Sequence, residues 1–355
     1  MAVRLSDNIK GLTVSALTSY DVRFPTHLEF SADAVHTDPD FSCPYVVIEV
    51  SGSAVQGHGS TFTLGRGNNV VKQCIDEFKF LVVGRKLEEI FGNFGTFSKS
   101  LTNNSQLRWL GPEKGVVHLA VAAIINALWD LWGNLENKPV WKLLCDLTPE
   151  ETVSLIDFTY LTDAITQEEA LAILYENAET KAQREQHVIT NGLPAYITSV
   201  GWLGYDDDKI RQLCRESLQS GWKCFKMKVG VDLQNDIRRA AVIRNEIGDD
   251  NLLMMDANQV WEVDQAIDWM KSLARFRPHW IEEPTSPDDV IGHRRIAEAL
   301  APFGIRVATG EHCQNRVIFK QLITEKALHF CQIDSCRLGG VNENLAVMLL
   351  AAKYK

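Results

Sequence analysis

A chain of 355 residues with 45% apolar and 23% charged residues is too long for one small domain and ordinary in composition for a globular enzyme. Its net charge of −10 argues against nucleic acid as the main partner, because phosphate binding needs a basic surface. The eight cysteines are scattered without a CxxC pair, which argues against a disulfide or zinc framework and suits reduced thiols.

The opening MAVRLSDNIKGLTVSALTSYDVRF has no long apolar core and does not read as a secretory signal. Its basic residues and hydroxyls lean toward an organellar presequence, and Asp7 leans against one. Residues 1 to about 65 read as strands and loops. LTVSALTSYDVRF and PYVVIEV are strand-like, and SADAVHTDPDFS between them is a polar surface loop. Residues 70–137 read as helical, with apolar positions three and four apart through EKGVVHLAVAAIINALWDLWGNL. The apolar run from Val116 to Trp132 is interrupted by His118, Asn126 and Asp130. It reads as a buried helix, and no membrane partner is expected. A first α+β domain is expected over 1–150.

From Val153 the texture changes to short apolar strands alternating with amphipathic helices, the pattern of a parallel sheet. The strands read SLIDFTY, KCFKMKVG, LLMMDAN, HWIEEP, RVATGE and HFCQID, with AYITSVGWL as an insertion or support element. Residues 166–187 read as a polar, solvated helical arm. Charged residues close these runs at Lys228, Asp256, Glu282, Glu311 and Asp334, in steps of 28, 26, 29 and 23 residues. That is one strand plus one helix per step, so the fold class expected is α/β, with a modified TIM-type β/α barrel over 151–355. The chain ends at Lys355, soon after the sixth strand, inside the apolar LAVMLLAAKYK, and reads as truncated there.

Strand ends of a β/α barrel converge on one mouth. Lys226 and Lys228 share a strand face; inside a barrel, burial and mutual repulsion would lower a lysine pKa toward a base's range. On an edge strand they would be two solvated lysines. Asp256, Glu282 and Glu311 offer three hard oxygen ligands suited to Mg²⁺, although Asp256 could instead cap a helix. Glu283 should point to the opposite face and His312 away from the site. Asp334 could orient a histidine, cap a turn or pair with a base.

These residues resemble the enolase superfamily, in its mandelate-racemase-like branch, through AIINALWDLWGNLENKPVWKLL, KMK, MMDANQ, WIEEP, ATGEHCQNR and QIDSCRLGGVNEN. SADAVHTDPDFS and RWLGPEKGVVHLA bring the likeness closer to its L-fuconate dehydratases. The resemblance implies a cap domain over the barrel and Mg²⁺ held by Asp256, Glu282 and Glu311. It makes Lys228 the acid/base, with Asp334 as half of a dyad whose histidine would lie on a seventh strand. Substrate contacts would come from Ser31, Ala32, Asp33, Lys226 and Glu311, with Phe41 where the family usually has a tyrosine. The implied reaction takes L-fuconate to 2-keto-3-deoxy-L-fuconate and water through an enediolate. Racemisation or another acid sugar is the runner-up, and a catalytically impaired product with a binding role is the alternative for a truncated chain. The implied location is mitochondrial, with cytoplasmic as the alternative, and homo-oligomer formation stays open.

Overall fold

The computed structural model describes residues 3–29, 33–111 and 113–355. Three antiparallel strands come first: β1 (Thr13–Arg23), β2 (Ser42–Ser51) and β3 (Gln56–Ser60), in that order across the sheet. Alternation in β2 buries Val46, Ile48 and Val50 on one face, against α1 (Asn68–Glu77) and α2 (Gly115–Leu135). β3 reads QGHGS because α2 lies directly on it. A Cβ at Gly59 would sit 2.3 Å from the Ala123 carbonyl oxygen, so only glycine admits the helix backbone at that point.

Helix α2 is long and apolar enough to cross a membrane by length alone, yet 72% of its most apolar stretch is buried inside this fold. Its Trp129 and Trp132 rings stack 5.2 Å apart, and Trp132 stacks on Phe91 at 4.9 Å. The helical character expected over 70–137 is present in blocks, with residues 103–111, 113 and 114 outside any α-helix.

The structure corrects two strand assignments. SLIDFTY is not a strand. Pro149 at the first turn and a reciprocal Thr148–Glu151 capping box start a helix at Pro149–Ser154, and turns follow it. The apolar residues of that segment serve packing instead, with Leu155, Ile156, Phe158 and Leu161 all buried. AYITSVGWL, in contrast, supplies β4 (Ile197–Gly201), the first strand of the main sheet rather than a support element. The arm forms two helices, Gln167–Glu176 and Lys181–Asn191; the first buries only Ala170 and the second buries nothing.

After β4 the chain alternates regularly. α3 (Asp207–Gln219), β5 (Cys224–Lys228), α4 (Leu233–Ile247), β6 (Leu252–Asp256) and α5 (Val263–Leu273) are followed by β7 (Pro278–Glu282), α6 (Val290–Leu300), β8 (Arg306–Thr309), α7 (Arg316–Thr324), β9 (Phe330–Cys331) and α8 (Val341–Lys353). The sheet is parallel, six-stranded and ordered β4-β5-β6-β7-β8-β9, as right-handed βαβ crossovers dictate. Asp206, Asp232, Asp289 and Asn315 each accept a backbone N–H at the start of α3, α4, α6 and α7, so the acidic and amide residues of these loops are N-caps.

Phe225, Met255, Ile281 and Val307 form the core between sheet and helices. The two halves are joined by polar contacts as well as packing. Trp129 Nε1 donates to Asn342 Oδ1 (2.8 Å), and Asn342 Nδ2 donates to the Leu155 carbonyl (2.9 Å). Arg316, 3% exposed, pairs with Glu113 (2.9 Å), Asp157 (3.4 Å) and Glu343 (3.4 Å), and Glu343 also meets His118 at 2.8 Å.

Candidate active site

Backbone register builds the site. Lys228 pairs with Asp256 across β5 and β6, and Asp256 with Glu282 across β6 and β7, so three charges stand in one row at the C-terminal ends of adjacent strands. Lys226 lies one pleat below on the same face as Lys228, while Phe225 and Met227 point to the helices. Lys226 Nζ donates to Asp256 Oδ2 (3.1 Å) and Glu282 Oε1 (2.7 Å). Lys228 Nζ donates to the same Asp256 oxygen (2.6 Å) and to Asn258 Oδ1 (2.9 Å). Trp202 lies 5.2 Å from the Lys228 ammonium, and Tyr196 5.0 Å from that of Lys226.

The electrostatics differ from the sequence expectation. Burial alone would lower the Lys226 pKa, but the carboxylates of Asp256 and Glu282 outweigh it and hold the ammonium above its ordinary value. Burial likewise pulls Asp256 upward, and the ammoniums of Lys228 and Lys226 win and hold it low. Glu282 is pushed up to about 7, first by burial and then by the charge of Asp256.

Behind the row, Arg239 of α4 is fully buried with Asp236. Its Nη2 donates to the Lys228 carbonyl (2.6 Å) and to Asp236 Oδ1 (2.6 Å), and its Nη1 donates to the Gly201 carbonyl (3.3 Å). Asp236 Oδ2 in turn accepts the Gly230 N–H (2.8 Å) and Trp269 Nε1 (3.0 Å). This pair ties the ends of β4 and β5 together beneath Trp202 and Lys228.

Glu311 follows Gly310, whose φ is +148° and whose added Cβ would lie 2.0 Å from the Gln332 carbonyl oxygen. Glycine alone lets the chain pass there and turn Glu311 inward. Glu283 departs from simple alternation. A left-handed φ of 43° ends the strand and swings its carboxyl toward Glu311. Glu283, Glu311 and His312 bring their ligand atoms within 4.8 Å of one another. Burial, then the charge of Glu311, pushes the Glu283 carboxyl up to about 9, and burial pushes His312 down to about 4. His312 therefore lines the site instead of facing away.

A cavity of about 410 Å³ opens over this mouth, within the usual size of a small-ligand site. Lys228, Asn258, Glu311 and Asp334 line it from the barrel side, and Asp33, His36 and Phe41 line it from the cap loop. Asp334 spends Oδ1 on the Cys336 N–H (2.8 Å), a turn-capping bond. Ser31 and Ala32 lie outside the described residues. A larger cleft of about 660 Å³ beside Lys99 and Thr159 shares no lining residue with this cavity. Sequence reasoning missed Asn258, Trp202, His36 and Arg239. Only Asn258 carried a local signal, two residues beyond a strand-end aspartate.

The donor set suits a hard divalent cation. Asp256 and Glu282 are fully buried and bonded to the two lysines, whereas Glu311 is half-buried and meets Glu283 and His312. Residues 18–145 match the family described as "Mandelate racemase / muconate lactonizing enzyme, N-terminal domain", and residues 209–355 match "Enolase C-terminal domain-like". The chain belongs to the enolase superfamily. Among solved structures it is similar to human mitochondrial enolase superfamily member 1, with a TM-score of 0.95 and 56% identity, over 96% of this chain and 78% of that one. It is 53% identical over 347 residues to an L-galactonate dehydratase of Hypocrea jecorina, covering 97% of this chain and 77% of the relative. A racemase from Streptomyces coelicolor A3(2), solved with bound magnesium, superposes with a TM-score of 0.72 at 26% identity, over 96% of this chain and 83% of that one. The enolase-superfamily chain is thus an enzyme of the acid-sugar dehydratase kind.

Proposed function

We propose that the chain dehydrates an acid sugar in the presence of Mg²⁺, with L-fuconate as its substrate. The observation that carries this reading is the in-register row of Lys228, Asp256 and Glu282, fixed by backbone pairing, with Lys228 at its end lining a cavity of small-ligand size.

In this reading Asp256, Glu282 and Glu311 would hold the metal, which would supply positive charge against the carboxylate of a substrate losing its α proton. Lys226 keeps its charge because two carboxylates hold it up, and it adds a fixed ammonium on the same side. Lys228, aimed into the cavity by Asp256 and Asn258, is the group that takes the C2 proton. The C2–H bond breaks to Lys228 Nζ, the C3–O bond then breaks, and the hydroxyl takes that same proton back from Lys228 Nζ and leaves as water. The enol left behind becomes the 2-keto-3-deoxy acid. Phe41 contributes only apolar surface, beside Phe62 at 5.8 Å.

L-galactonate is the second acid sugar to consider, because the Hypocrea jecorina relative is named for it. We also propose a cap over 1–150, a barrel over 151–355 and a mitochondrial location, the last resting on the name of the human relative. The deciding experiment incubates the purified chain and MgCl₂ with a panel of acid sugars and measures keto acid as its semicarbazone. Keto acid from L-fuconate, lost on adding EDTA, is the expected result. No keto acid from any member of the panel would overturn the reading.

A further inference from the structure

The cap loop presents a different residue to the cavity from the one its acidic sequence suggests. The Asp33 carboxylate is consumed within its own loop. Oδ1 accepts the Val35 N–H (2.8 Å) and the His36 N–H (2.7 Å), and Oδ2 pairs with His36 Nδ1 (2.8 Å). With its side chain only 9% exposed, Asp33 has little left to offer a ligand. The His36 imidazole lies flat against His312, ring centroids 6.1 Å apart and planes 10° apart. No described residue bonds its Nε2, and its side chain keeps 20% exposure along the cavity that Lys228 and Asn258 line from the opposite wall.

We propose that His36, oriented by Asp33 and braced by His312, is the cap residue that touches substrate. Its Nε2 hydrogen-bonds a hydroxyl on the cap side of the acid sugar and selects among sugars by the configuration of that hydroxyl. The inference rests on the acid-sugar reading above and deepens it. A hydroxyl both donates and accepts, so it satisfies Nε2 whether or not that atom carries hydrogen. The Asp33 bond fixes which nitrogen faces inward, and the stacked ring removes the rotational freedom that would blur selection. A site built to hydrogen-bond a hydroxyl rejects sugars that cannot supply it far better than an apolar wall does.

The test compares His36→Leu, His36→Gln and Asp33→Asn with the parent chain in MgCl₂. The readouts are KM where a sugar is turned over, calorimetric binding where it is not, and the thermal melt. Leu should weaken L-fuconate about tenfold, the loss of roughly one hydrogen bond, and should flatten the preference for L-fuconate over its epimers. Gln should recover part of both, and Asp33→Asn should lose affinity by loosening the ring that Asp33 orients. Unchanged affinity in the Leu variant, or an equal loss for every epimer, overturns the inference and leaves the dehydratase reading standing. Weakened binding without turnover by the parent does the reverse. A parent that neither turns over nor binds any acid sugar overturns both.

Discussion

Lys228 is the residue on which the chemistry turns. Its replacement by Met keeps the length and apolar stem but removes the Nζ that bonds both Asp256 and Asn258. The expected result is a loss of about 10²–10⁴ in kcat with Mg²⁺ affinity nearly unchanged, read by steady-state kinetics and by metal titration. Glu283 sets a pH dependence of stability. Its carboxyl rises from 4.5 to about 9 in the folded chain, so the fold binds that proton more tightly than the unfolded chain does. The contribution is full below pH 4.5 and is lost as pH rises through about 9. Glu283→Gln should therefore gain melting temperature relative to the parent between pH 5 and pH 9 in metal-free buffer. A constant difference across that range would refute the assignment.

Among the elements, the Arg239–Asp236 pair shows how a helix can govern a strand end. A fully buried ion pair is poor evidence of stability, because desolvation offsets most of its attraction. Its geometric effect is clearer, since one guanidinium fixes the carbonyls of Gly201 and Lys228 together. Arg239→Met should lower kcat more than it raises KM, with Arg239→Lys recovering part of the loss. Gly310→Ala should be worse for folding, since its methyl meets a carbonyl oxygen at 2.0 Å; a cost of about 1–3 kcal/mol or more is expected in chemical denaturation. The βα alternation from residue 224 onward was legible because each strand is a short apolar run and each helix begins at a capping residue. The 154–160 segment is misread from sequence because SLIDFTY carries a strand-like pattern, while Thr148 and Glu151, just upstream, start a helix that runs into it. His36 and Arg239 were not legible. Their roles depend on partners brought together by tertiary packing, which periodicity does not encode.

For the whole molecule, Arg316 is the joint between cap and barrel. It sits on α7, and its partners Glu113, Asp157 and Glu343 come from the cap side, the connecting segment and α8. Removing the cation leaves acidic groups buried together, a change that costs about 3–5 kcal/mol when a buried pair is broken. Arg316→Met should lower the melting temperature and separate cap and barrel unfolding into two calorimetric transitions. One undivided transition at the parent's temperature would show that apolar packing alone joins the halves.

The row of Lys228, Asp256 and Glu282 works as a ruler cut into the backbone. Its graduations are the spacing of hydrogen-bonded strands, about 4.8 Å, which side-chain rotamers cannot stretch. A chemist who wished to retune the site could exchange a head group at any mark, but could not move the marks without re-registering the sheet. Lengthening one arm, as in Asp256→Glu, would overshoot its mark by a methylene and crowd the oxygen that two ammoniums now share. Novelty in substrate choice is therefore cheapest in the overlying loop, where no ladder holds the residues to a scale.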